Sequence, residues 1–212
     1  MRKVIPVLLT LLPCITASHA QIGITAGMNL ARYSYSESKF DVHRKSILAY
    51  NFGVFYKKEL AGKLFLLPEL NYSLKGSRVY YDYPIGFTGP MKNVNRFQYI
   101  QLTLPALIAL PVSDEIDFEI GGGLFAAYLL KATQKTVEFD DSYVVKDFAR
   151  GDLKKMDVGL HFTAGFRMAK KLGLHLSYDL GLANIQGIAN SPAARTRNFS
   201  INMNWLFSKS ES

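Results

Sequence analysis

Residues 157–184 read DVGLHFTAGFRMAKKLGLHLSYDLGLAN, and their alternation decides the fold. Val158, Leu160, Phe162, Ala164, Phe166 and Met168 fall on one side of a two-residue period, with Asp157, Gly159, His161, Thr163, Gly165 and Arg167 on the other. After Ala169, Lys170 and Lys171 the period resumes: Leu172, Leu174, Leu176, Tyr178 and Leu180 stand against Gly173, His175, Ser177, Asp179 and Gly181. A period of two is a β-strand with two chemically different faces, and two such strands across a short connection are a hairpin. One face is continuously apolar, while the other mixes glycine, charge, imidazole and hydroxyl. This pair alone also fits a soluble sandwich, so the recurrence of the unit and the chemistry at the chain's ends must decide.

The unit recurs at 22–31, 47–56, 64–74, 97–110, 116–129 and 197–207, which with the central hairpin predicts eight strands. The connections at 32–46, 75–96, 130–155 and 185–195 are long, and those at 57–63, 111–115 and 169–171 are short. Long connections at one end and short turns at the other, with an even strand number, are the pattern of a membrane-spanning barrel, whose strands need about 9–11 residues to cross. The fold class is therefore all-β: an eight-stranded antiparallel transmembrane up-and-down β-barrel. In lipid, the face carrying Phe199, Ile201, Met203, Trp205 and Phe207 needs no protein partner, and closure leaves no strand edge unpaired. A soluble lipocalin-like ligand-binding barrel is the alternative with the same strand count, and it requires an apolar interior and a charged exterior. Pro105 cannot donate a ladder hydrogen bond, which predicts a bulge or the end of regular pairing inside 97–110.

At the amino terminus, Arg2 and Lys3 precede an apolar run over 4–15, followed by the small residues Ser18 and Ala20. That is the build of a secretory signal peptide cleaved after Ala20, and the run is shorter than the roughly 20 residues a helical span needs. The expected organisation is a signal peptide at 1–20 and a single barrel domain at 21–212. Cys14, the only cysteine, leaves with the signal, so the mature chain relies on its sheet rather than on disulfides. The formal net charge of +8 comes from 25 Lys+Arg against 17 Asp+Glu, without a dense basic tract after the signal. Such a surface suits water and lipid head groups, and no nucleic-acid partner is expected.

Residues 51–76, NFGVFYKKELAGKLFLLPELNYSLKG, resemble the outer-membrane β-barrel domain of many Bacteroidetes proteins, the PorT-like family, with Pro68, Glu69, Leu70, Tyr72, Lys75 and Gly76 standing as they do there. Similar pieces are 23–30 (GITAGMNL), 99–110 (YIQLTLPALIAL), 119–130 (EIGGGLFAAYLL), 178–185 (YDLGLANI) and the closing strand to Phe207. The resemblance implies the same barrel fold and outer-membrane location. It offers a link to protein secretion for one named branch, and no catalytic residue to carry over.

For function, the inward faces supply a polar cluster: Glu69, Glu119, His161, Arg167, His175, Ser177 and Asp179. Ser, His and Asp are the residue types of nucleophilic hydrolysis, and Ser177 lies between His175 and Asp179 on one face, so a small lumen or lipid-facing enzyme is one alternative. A narrow lumen is, however, normally filled by paired charges and hydrogen-bonding side chains. The expectation is packing, with no catalytic residue, no cofactor, and no metal at His161 or His175, which lack a tight ligand cluster. The glycine run at 121–123 precedes no helix and is not a phosphate cradle. Eight strands enclose an interior that side chains fill, so no open pore is expected.

Function is then sought in the loops, since long connections without secondary structure are uncommon unless they serve something. Tyr80, Tyr81, Tyr83 and Phe87 are candidate loop-binding aromatics for a protein or glycan partner, or else part of an interfacial girdle. Alternation over 136–145 predicts a small hairpin above the barrel. The sequence thus describes a non-enzymatic, monomeric barrel in the outer membrane of a Gram-negative bacterium, in contact with its lipid and binding or assembling through long extracellular loops. A component linked to protein secretion is the second reading.

Overall fold

The computed structural model describes residues 21–35, 43–81, 91–137, 142–146, 153–187 and 192–207, so the signal peptide at 1–20 lies outside the described residues. Its strands are β1 (Gln21–Tyr35), β2 (His43–Lys45), β3 (Ile47–Ala61), β4 (Leu64–Leu66), β5 (Glu69–Tyr81), β6 (Met91–Ser113), β7 (Ile116–Val137), β8 (Ser142–Lys146), β9 (Met156–Met168), β10 (Leu172–Gly181) and β11 (Ala194–Leu206). All pairings are antiparallel. Around the ring the neighbours are β1, β3, β4 with β5, β6, β7, β9, β10 and β11, and β11 returns to β1 over Gly23↔Leu206 through Tyr35↔Ala194. That is a closed barrel of eight staves, with β2 and β8 as short additions at the long-loop end.

The burial pattern is inside-out relative to a soluble protein. Glu119 and Asp157 are 0% exposed and Arg167 1%, while Leu48 is 67% and Met28 62% exposed. Leaving large apolar side chains in water costs about 1.5–3 kcal/mol each, so an outer surface of Leu, Ile, Phe and Met is stable only against hydrocarbon. The polar interior also rules out the lipocalin-like alternative, whose cavity would be apolar. Two smaller apolar clusters do sit inside. Tyr33, Phe97, Tyr99, Phe125 and Leu129 pack at the long-loop end, and Phe55, Leu67, Leu107 and Leu206 at the short-turn end.

Several boundaries differ from the sequence reading. The segment 75–96 is largely ladder rather than loop, because β5 runs to Tyr81 and β6 starts at Met91, paired from Lys75↔Phe97 to Tyr81↔Met91. Above the lipid both faces of a strand meet polar surroundings, so the hydrophobic alternation fades while the hydrogen bonding continues. The same holds for 32–35, 43–45 and 130–137. The expected small hairpin is present, displaced by a few residues, as β7 and β8 paired from Thr133↔Lys146 to Val137↔Ser142. The connection at 185–195 also folds inward. Ile185 is 1% exposed within the upper apolar cluster, and the Asn184 side-chain oxygen accepts from the Gln186 and Ala194 amides at 3.0 and 2.9 Å.

Pro105 does not end pairing in β6, which continues against β7 through Pro105↔Gly123. A strand residue directs its N–H and C=O to the same neighbour. The Pro105 carbonyl accepts from the Leu67 amide at 3.0 Å, so its missing donor faces the gap between β4 and β5, where Leu67 and Pro68 already interrupt that stave. The neighbour carries the break that the sequence assigned to β6.

Candidate functional site

The hairpin β9–β10 places the polar face of the opening stretch in the lumen, in register His161↔Asp179, Thr163↔Ser177, Gly165↔His175 and Arg167↔Gly173. Each large side chain of the last two pairs faces a glycine. A Cβ on Gly165 would lie 2.7 Å from the His175 ring, and one on Gly173 2.8 Å from its other edge, so both positions must be bare for the imidazole to fit.

Glu119 from β7 organises the cluster nearer the short turns. Its carboxylate accepts from Arg167 Nε and Nη2 at 2.8 and 2.9 Å, from Lys57 Nζ at 2.5 Å, and from His175 Nε2 at 2.9 Å. The Asn204 amide contacts the other ring nitrogen of His175 at 3.2 Å. Asp179 organises a second cluster higher in the barrel. His161 Nδ1 lies 2.7 Å from one oxygen, and the other accepts from Gln101 at 3.1 Å, Lys75 at 3.2 Å and Asn198 at 3.3 Å. Between them an amide ladder crosses the lumen, Asn51 donating to Asn29 at 2.7 Å and to Asn202 at 3.0 Å.

The structure therefore gathers the seven predicted lumen residues in one interior but divides them. Glu119, Arg167 and His175 share one cluster, and His161 and Asp179 the other. Glu69 bonds the Asn71 amide and makes no ion pair among the described residues. Ser177 donates to Thr163 Oγ1 at 3.0 Å and accepts from Asn202 at 3.3 Å, and it hydrogen-bonds to neither His175 nor Asp179. The Ser/His/Asp arrangement needed for nucleophilic attack is not assembled. Among the described residues no three His, Cys, Asp or Glu side chains converge as a metal site. The lumen retains cavities of about 10 and 20 Å³, on the scale of one water, and Glu69, His161 and Asn202 line both.

Lys57 and Lys75 were missed by sequence reasoning because both fell in assigned connections. The signal was available: Lys57 continues the inward parity of Asn51 and Phe55, and Lys75 that of Asn71 and Ser73.

Of the candidate loop aromatics, Tyr80 is the last but one residue of β5, on its outer face. Lys45 and Lys92 stand 5.5 and 5.8 Å from its ring centroid, and Arg78 donates to its hydroxyl at 3.4 Å. Tyr81 closes β5, its side chain lies outside the described residues, and so do Tyr83 and Phe87. Tyr80 is thus part of the outer ladder rather than of a free loop.

A family model described as an outer membrane protein beta-barrel domain matches residues 16–187. Among solved structures, Ail, the attachment invasion locus protein of Yersinia pestis, is 12% identical, with 90% of this chain and 100% of that chain covered and a TM-score of 0.44. Neisserial surface protein A is 12% identical over 90% and 100%, with a TM-score of 0.46. OprG from Pseudomonas aeruginosa is 10% identical over 90% and 95%, at 0.41. A comparison with curated proteins finds no match.

Proposed function

Because the chain belongs to the outer membrane protein β-barrel domain family, we propose that it is a barrel whose work is done at its long-loop end, as a binding or assembly component. It is a non-enzymatic protein of the Gram-negative outer membrane. The observation that carries the reading is the contrast between interior and rim. The lumen is occupied by two ion clusters between two apolar plugs, whereas the β5–β6 and β7–β8 ladders rise past the lipid-facing belt. A side-chain-filled lumen supports neither nutrient passage nor turnover, while projecting hairpins supply surface.

In this reading the mature chain starts at Gln21, is monomeric, and meets a protein or glycan through residues 82–90 and the β7–β8 hairpin, with Tyr80, Tyr81, Tyr83 and Phe87 as candidate anchors. The finer resemblance, to the PorT-like proteins of Bacteroidetes, favours a place beside the protein-secretion machinery. Cross-linking and pull-down from intact outer membranes tests this by comparing wild type with a deletion of 82–90 that still shows heat-modifiable migration. Loss of specific neighbours is expected, and an unchanged set removes the proposal. Sustained conductance steps in planar bilayers would contradict the closed lumen.

A further inference from the structure

The register that sends apolar side chains to lipid sends basic ones outward just above them. On β1 and β11 the outward sequence passes from Leu30 and Phe199 to Arg32, Arg195 and Arg197. On β2, β5, β6 and β7 the same step leads to Lys45, Arg78, Lys92, Arg96, Lys131 and Lys135. Together they form a basic collar at the long-loop end.

Two features show that the collar lacks a counter-charge within the described barrel. First, like charges stand directly opposite each other across strands, Arg32↔Arg197 and Lys45↔Arg78, an arrangement that destabilises a sheet. Second, the described carboxylates are elsewhere. Glu69, Glu119, Asp157 and Asp179 face the lumen, and Glu59, Asp114, Glu115 and Asp117 lie at the short-turn end. None of the collar residues makes an ion pair among the described residues. Arg195 and Arg197 donate to the Leu182, Gly181 and Thr196 carbonyls instead. The short-turn end differs, since Lys58, Lys63, Lys170 and Lys171 are mixed there with the four acidic residues just named.

We propose that the collar is a binding surface for the phosphate groups of the outer leaflet's glycolipids. Its height decides the source. It adjoins the apolar belt that the acyl chains cover, so the first anions it meets are the head groups of those same lipids, and Arg side chains suit phosphate through bidentate hydrogen bonding. Bound phosphates relieve the Arg32–Arg197 and Lys45–Arg78 repulsions and tie a shell of lipid to the barrel. This surface adjoins the loop surface proposed above at Tyr80, which Lys45, Arg78 and Lys92 contact, and deletion of 82–90 leaves the collar residues in place, so the two are tested apart.

The test uses the mature chain refolded in zwitterionic micelles, with diphosphorylated lipid A, its dephosphorylated form and inorganic phosphate as probes. Wild type is expected to bind the phosphorylated lipid, to weaken with salt, and to gain melting temperature from it but not from the other two probes. Arg32→Gln with Arg197→Gln, and separately Lys45→Gln with Arg78→Gln, should each weaken binding about twenty-fivefold, from about fivefold per charge removed. Without lipid, Arg32→Gln alone should melt no lower than wild type, because it removes the Arg32–Arg197 repulsion and leaves the Arg197 hydrogen bonds in place; a purely structural role would lower the melting point. Lys170→Gln with Lys171→Gln, at the opposite end, should bind as wild type. Equal binding of dephosphorylated lipid, an equal shift with inorganic phosphate, or equal loss in the Lys170/Lys171 variant would overturn the proposal. Unchanged lipid binding in both collar variants would overturn it too, and would assign the counter-charge to acidic residues in the connecting segments, such as Asp82 and Asp140.

Discussion

Glu119 and Asp179 are both buried carboxylates in the same lumen, yet they are held in different ways. Glu119 is ringed by three basic side chains, Lys57, Arg167 and His175, with the guanidinium in a two-pronged contact. Asp179 has one permanent cation, Lys75, and completes its coordination with His161 and two amides. One cluster is a surplus of cations on a single acid, and the other is a neutral pair padded by dipoles. The difference sets which member of each is replaceable. In the lower cluster the acid has no substitute and each permanent cation, Lys57 or Arg167, has the other, whereas in the upper cluster the cation is the member without a substitute.

The largest effect should come from Glu119→Gln, which leaves Lys57 and Arg167 buried together without an anion. Breaking a buried pair costs about 3–5 kcal/mol, and this variant should lie at the upper end of that range when unfolded by urea from lipid vesicles. A loss under about 1 kcal/mol would mean that water or Asp117, which faces Arg167 in the ladder, takes over the anion's part. Next is Lys75→Met, which strands Asp179 with only imidazole and amides and should cost about 3 kcal/mol by the same reasoning. Lys57→Met should cost about 1 kcal/mol, the scale of one net hydrogen bond, because Arg167 and His175 stay on Glu119. If Lys57→Met proves as damaging as Lys75→Met, the distinction between the clusters fails. The smallest effect lies outside both. Lys170 turns the β9–β10 hairpin at φ +58°, beside Ala169 at +46°. Lys170→Gly should therefore gain about 0.5–1 kcal/mol by removing left-handed strain, and urea unfolding would register the gain.

The belt was legible in the sequence because lipid outside and polar packing inside impose a two-residue contrast, as in Leu172 to Gly181. Above the belt that contrast disappears. Gly76, Arg78 and Tyr80 face out while Lys75, Ser77 and Val79 face in, and neither set looks like a strand face. The lumen acids Glu69, Glu119 and Asp179 were found because they stand inside clean alternations, and the cations Lys57 and Lys75 were lost because they stand one step beyond them. The division of Ser177 from His175 was not legible from strand spacing. It depends on which side chains the neighbouring staves present, Glu119 reaching His175 over the bare Gly165 and Thr163 meeting Ser177 directly in the ladder.

The seam of the ring joins β1 to β11, so β1 keeps an open edge until β11 arrives. Any partial assembly short of Ala194 carries two rows of unmatched backbone N–H and C=O groups, each costing several kcal/mol in hydrocarbon. Stave-by-stave entry into the bilayer is therefore disfavoured against closure that coincides with insertion. The position of one hydrogen-bonded seam thus ties closure of the described barrel to its entry into lipid.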